Sequence, residues 1–166
     1  MTIIAVGGVT EGTPGDDVIL GTGGSDEINA GAGDDIVCLV AGDDVARGGP
    51  GDDVILGGKG RDRIAGGAGA DKLVGASGAD RLSGGSGDDE LAGDRGGDVL
   101  DGGKGSDTLR GGRGPDRLNG AGGSDALFGE LGNDDLRGGK GDGLDGGPGR
   151  NRCAGGPGRH SLIACG

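Results

Sequence analysis

Tryptophan and tyrosine are absent from this 166-residue chain, Phe128 is its one phenylalanine and His160 its one histidine. With 31% hydrophobic residues and almost no aromatic bulk, the composition excludes the core of an ordinary globular domain of this length. A lone imidazole without a partner cluster supports neither a zinc site nor general-base catalysis. The chain also lacks a nucleophile elbow, an HExxH pair, a phosphate loop of the GxxxxGK kind and any segment with a helical apolar period, so it is not expected to be an enzyme. A net charge of -12 without a basic, aromatic-bearing face argues against nucleic acid as a partner. The apolar opening from Met1 to Val6 is too short to span a membrane and lacks the basic start of a signal peptide; it reads as a capping strand.

What is abundant is glycine, 49 residues, and composition alone would favour disorder. Periodicity overrules it. Fourteen aspartates recur at strict nine-residue intervals: Asp17, Asp26, Asp35, Asp44, Asp53, Asp62, Asp71, Asp80, Asp89, Asp98, Asp107, Asp116, Asp125 and Asp134. Glycine stands two places before each, from Gly15 to Gly132, and a non-polar residue two places after, from Ile19 and Ile28 to a run of leucines. The unit is GGxGxDxUx with U aliphatic, as in Gly48 to Leu56 and Gly57 to Ala65, with looser copies at Ala30 to Cys38 and Leu39 to Arg47.

Glycine at the first, second and fourth places allows a tightly bent turn, and the last three places form a short strand whose middle residue faces inward. The 16 lysines and arginines agree, since none occupies a first, fourth, sixth or eighth place. One inward aliphatic per repeat is little burial against the entropy of ordering nine backbones. Stacked turns would also bring aspartates to about 5 Å from one another, each contact costing about 3 kcal/mol at an effective dielectric of 20. A divalent cation would turn that repulsion into attraction, and an all-oxygen site suits calcium. The chain is therefore expected to fold only with its ion.

These nonapeptides resemble the RTX, or haemolysin-type, calcium-binding repeat. The resemblance implies an all-β fold, a right-handed parallel β-roll with calcium in the GGxGxD turns. It also implies two nonapeptides per coil, hence two calcium columns. One takes Asp17, Asp35, Asp53, Asp71, Asp89, Asp107 and Asp125; the other takes Asp26, Asp44, Asp62, Asp80, Asp98, Asp116 and Asp134. Seven carboxylates in each column leave six gaps, so about a dozen ions are expected. The implied role is a non-enzymatic module that folds on extracellular calcium and acts as a stabilising, secretion-linked roll, in a secreted or cell-surface setting with no export signal visible in these residues. The alternative is a structural or adhesive protein whose calcium-rigidified roll binds a carbohydrate, a polyanion or a cell surface.

Three segments are expected: a capping strand over residues 1–11, calcium-binding repeats over 12–142, and degenerate repeats with a cap over 143–166. After Asp134 the register loses a residue on reaching Asp142, and the next equivalents, Asn151 and His160, are not full anionic ligands. Pro148 and Pro157 stiffen those turns, and Arg150 and Arg159 put cations beside them. Cys153 and Cys165 are placed to pair or to remain free thiols, leaving Cys38 over. Carboxylates at the fifth place, Asp16, Asp34, Asp43, Asp52 and Asp88, read as solvated surface charge or as water-bridged helpers to calcium. Charge is uneven: residues 11–56 carry eleven acids against Arg47, while residues 57–166 carry seventeen acids against fifteen bases. A calcium-loaded second half would be net positive, which suggests an acidic polysaccharide or another polyanion as a partner.

Overall fold

The computed structural model describes residues 2–5, 9–156 and 161–166. Met1, Val6, Pro157, Arg159 and His160, used above in reading the two ends, lie outside the described residues. No helix occurs among the described residues; successive strands alternate between a ten-stranded and a nine-stranded sheet, and every pairing within each sheet is parallel. Each strand pairs with the strand two further along the chain, so two nonapeptides make one coil. The result is an all-β parallel solenoid of about eight turns, consistent with a right-handed β-roll and with the usual hand of parallel crossovers.

The eighth place supplies the core. Ile19, Ile28, Val37, Ala46, Ile55, Ile64 and every equivalent leucine from Leu73 to Leu144 are buried in one continuous column between the sheets. A side chain every second residue along a strand points to the same face, so the eighth and first places both face in while the seventh and ninth face out. Where the first place is not glycine, in the two looser repeats, its side chain enters the core: Ala30 and Leu39 are fully buried.

The strands are longer than the three places expected from the repeat. In the middle of the chain they run six residues, as in Val54–Lys59 and Leu82's strand, Arg81–Ser86, because the double glycine continues the ladder. Gly49 pairs with Gly67, and Gly58 with Ala76. The second-place residues take positive φ within this ladder, mostly as glycine, but Val40, Ala76, Asp94, Ala121 and Glu130 do so as well. A β-branched residue is the least suited to that region. Val40, with φ 75° and 50% exposed, has little packing to lose. The Val40→Gly variant should therefore gain about 1 kcal/mol by release of backbone strain, checked as a raised thermal midpoint in saturating calcium.

The missing residue near Asp142 does not break the stack. Ala126 pairs with Gly143 and Asp135 with Arg152, each across seventeen positions, so the shortened turn absorbs the deletion and both sheets continue. Cys153 and Cys165 form a disulfide, and Cys153 packs against the end of the core. Closing a loop of this length removes about 3 kcal/mol of unfolded-state entropy. Cys38 is a free, half-buried thiol.

Candidate metal centre

All fourteen periodic aspartates are buried, none more than 3% exposed, at the turns where the chain passes from one sheet to the other. Their side chains form two ladders. The backbone N–H of each aspartate donates to Oδ1 of the aspartate one coil further on: Asp17 to Asp35, Asp35 to Asp53, Asp53 to Asp71, Asp71 to Asp89, Asp89 to Asp107 and Asp107 to Asp125, at 2.8 to 2.9 Å. The other ladder runs from Asp26 through Asp44, Asp62, Asp80, Asp98 and Asp116 to Asp134, at 2.7 to 3.0 Å. The division of the aspartates into two columns is the one the family resemblance implies.

The second carboxylate oxygen is what distinguishes this arrangement. Oδ2 of Asp35, Asp44, Asp53, Asp62, Asp71, Asp80, Asp89, Asp98, Asp107, Asp116, Asp125 and Asp134, twelve atoms in all, is buried and accepts no hydrogen bond. Leaving such an atom dry and unsatisfied is costly, and more so for a charged group. Ten of the twelve, from Asp53 to Asp134, lie against the first glycine of their own turn. A Cβ placed on Gly48 would stand 2.1 Å from Asp53 Oδ2 and 2.7 Å from the carbonyl oxygen of Gly66 on the next coil. The same pair of oxygens crowds Gly57 (Asp62 and Gly75), Gly84 (Asp89 and Gly102) and Gly93 (Asp98 and Gly111). The first-place glycine is thus required for space: it has no positive φ in these repeats, contrary to the bent backbone expected there, whereas the second- and fourth-place glycines do.

Burial raises the carboxyls above their ordinary range, and charged aspartates above and below raise most of them further. Asp53, Asp62, Asp80, Asp89 and Asp125 are pushed up to about 6 and Asp116 to about 7, chiefly by desolvation. Asp35, Asp44, Asp71, Asp98, Asp107 and Asp134 are raised for the same first cause. Among the described residues no three His, Cys, Asp or Glu side chains converge on one point. The donors available at each turn are instead carboxylate oxygens and backbone carbonyls, an all-oxygen set that fits calcium and offers nothing to a softer metal.

The ends of the ladders differ from their middles, which the uniform aspartate spacing conceals. Asp17 Oδ2 accepts from the backbone and hydroxyl of Thr13, and Asp26 Oδ2 from those of Thr22. At the far end Asp125 N–H donates to Asp142 Oδ1 and Asp134 N–H to Asn151 Oδ1. Asp142 in turn accepts from Gly139 N–H through Oδ2. Asp142 and Asn151 thus join the ladders, and the conserved shape of their Gly-Gly-x-Gly turns is the signal that could have placed them there. Fifth-place aspartates have a task that neither sequence reading supplied. Asp16, Asp34, Asp52 and Asp88 each accept, at 2.7 to 3.0 Å, from the fifth-place N–H of the next coil. Asp43 does so from Arg61, a bond that lowers its carboxyl below the usual range. Pro115, which has no N–H to donate, stands one coil above Gly97, which has no side chain to accept.

A parallel solenoid whose turns stack buried carboxylates against glycine carbonyls defines a β-roll built for hard cations. The family model for the RTX calcium-binding nonapeptide repeat, four copies long, matches residues 11–46, 40–73, 66–100, 74–109, 101–136 and 110–144. The chain belongs to that family. Comparison with curated proteins gives no match.

Proposed function

We propose that the chain is a non-enzymatic, calcium-dependent folding module, with the fourteen aspartates Asp17, Asp26, Asp35, Asp44, Asp53, Asp62, Asp71, Asp80, Asp89, Asp98, Asp107, Asp116, Asp125 and Asp134 as ligands in two columns. The observation that carries this reading is the set of twelve buried Oδ2 atoms without a hydrogen bond, those of Asp53, Asp62, Asp89, Asp98, Asp116 and Asp134 crowding the same space as a glycine carbonyl of the next coil. About a dozen calcium ions would satisfy them, and would convert two stacks of like charge into alternating charge. Asp17 and Asp26, already bonded through Thr13 and Thr22, would close the first sites from one side only. The repeats over 12–142 carry the ions, with residues 1–11 and 143–166 closing the ends. A chain of this kind is unfolded where calcium is scarce and rigid outside the cell, where calcium is plentiful; that is the sense in which folding is linked to secretion.

Far-ultraviolet circular dichroism of chelated protein, titrated with calcium and separately with magnesium, tests the reading. The expected result is a cooperative gain of β signal with calcium only, with uptake of about a dozen ions by equilibrium dialysis. A full β signal in chelator, unchanged by calcium, would mean that the roll stands without its ions.

A further inference from the structure

Winding two repeats per coil sorts the outward charges onto different faces. On the ten-stranded sheet the seventh- and ninth-place cations of the central strands are already engaged: Lys72 pairs with Glu90 at 3.0 Å, and Arg110 lies 3.9 Å from Glu90 and 5.2 Å over the Phe128 ring. The nine-stranded sheet is different. Between the strands Val45–Pro50 and Arg117–Gly122 its seventh and ninth places carry Arg47, Arg63, Arg81 and Arg117 against one acid, Asp101. The seventh places form one column in the order Val45, Arg63, Arg81, Val99, Arg117. Arg63 and Arg81 are directly opposite one another and exposed, and neither makes an ion pair within 4 Å among the described residues, although Arg63 is near enough to Asp43 to help lower its carboxyl. Like charges directly opposite in a sheet repel, and what would relieve them is an anion shared between them.

A shallow depression of about 300 Å³ runs beside this column, lined by Arg47, Arg63, Arg81, Ala65, Ser83 and Val99. Its neighbouring acids are few and occupied: Glu27 pairs with Arg47 at 3.3 Å, Asp43 with Arg61 at 3.2 Å, and Asp101 accepts from Asn119. Parallel strands are about 4.8 Å apart, so Arg63 and Arg81 are spaced by about 5 Å and Arg81 and Arg117 by about 10 Å along the solenoid axis. A guanidinium fork suits a carboxylate. The small apolar floor at Ala65 and Val99 suits the C–H face of a sugar ring, and Ser83 offers a hydroxyl partner. Phosphates of a duplex repeat at about 3.4 Å per strand, out of step with the arginines, and the face has no aromatic ring for base stacking.

We propose that the outward face of the nine-stranded sheet, from Arg47 to Arg117, binds a carboxylated polysaccharide lying along the solenoid axis. The site is on the opposite side of the backbone from the buried core; Arg63, Arg81 and Arg117 directly follow the ladder aspartates Asp62, Asp80 and Asp116 in the chain, and the site requires only that the roll be folded. Isothermal titration of the calcium-loaded full chain with a hyaluronan octasaccharide at low ionic strength tests it, with each variant first checked for an unchanged circular dichroism spectrum. Arg63→Gln/Arg81→Gln should weaken binding at least about tenfold, as expected for loss of charge-assisted hydrogen bonds. Arg95→Gln/Arg113→Gln removes another stacked arginine pair, one flanked by Asp94 and Glu130, and should leave affinity within about twofold. Uncharged dextran oligosaccharide should not bind. Failure of the wild type to bind, equal loss in both double variants, or equally tight binding of a thymidine oligonucleotide of the same charge would each overturn the proposal. These outcomes are independent of whether calcium drives folding, which the dichroism titration reports separately.

Discussion

Acidifying the calcium-free chain from about pH 8 to about pH 5 should increase its β-sheet signal, whereas in the presence of calcium the same step should move the calcium midpoint to higher concentration. Asp53, Asp62, Asp80, Asp89 and Asp125 are raised to about 6 and Asp116 to about 7 in the folded state, against 3.8 for a free carboxyl. A carboxyl raised in the folded state binds protons that the unfolded chain has already released. Its contribution to stability is therefore fully present below about pH 4 and is lost as the pH rises through about 6 to 7. Once the pH passes these values the rungs are charged, twelve of them dry on Oδ2 and facing like charges one coil away, so the ion-free roll loses this stability where the protein would work. Protonation removes the charge, and calcium compensates it; the two compete for the same oxygens. The measurement is dichroism against pH in chelator, paired with calcium titrations at the two pH values. A signal in chelator that stays flat across this range would show that the stacked carboxylates do not limit folding.

Replacing Gly60 by alanine should abolish cooperative folding in the middle of the roll, while Gly15→Ala, at the equivalent fourth place, should be tolerated. Gly60 has φ 122°, and a Cβ there would stand 1.6 Å from the carbonyl oxygen of Gly42 on the preceding coil. That atom is backbone and cannot rotate away, so the coils would have to separate, breaking the ladder bonds around Gly60 and opening the turn that contains Asp62. The left-handed conformation alone costs an alanine roughly 1 to 2 kcal/mol, and loss of stacking would add to it. Gly15 has no atom within 4 Å of the same position and no positive φ. Alanine there should change stability by about 0.5 kcal/mol or less, in the stabilising direction, by restricting the unfolded chain. Calcium-dependent dichroism of the two variants side by side makes the comparison; equal behaviour would remove close coil contact as the reason for the fourth-place glycine.

Much of the architecture is legible in the residues themselves. A nine-residue period with one aliphatic and one aspartate per unit dictates a solenoid with one inward column of apolar side chains, and Ile19 to Leu144 form it. The absence of lysine and arginine from the first, fourth, sixth and eighth places identifies the same interior, and the two repeats per coil that the family resemblance implies assign each aspartate to its ladder. The column and the interior places depend on chain-local spacing, which is why sequence alone determined them. What the neighbouring coil contributes, eighteen positions away, only the tertiary structure decided. It set which carboxylate oxygen is bonded by the next N–H and which is left dry, so that twelve Oδ2 atoms and not fourteen remain unsatisfied. It gave Asp34 and Asp52 their hydrogen-bonded place in the turns, drew Asp142 into a ladder across a deletion, lengthened the strands through the paired glycines, and brought Arg63 beside Arg81. The physical reason is that a repeat specifies its own turn, but hydrogen-bond direction, desolvation and like-charge contact are properties of two coils packed together, and they exist only once the stack is formed.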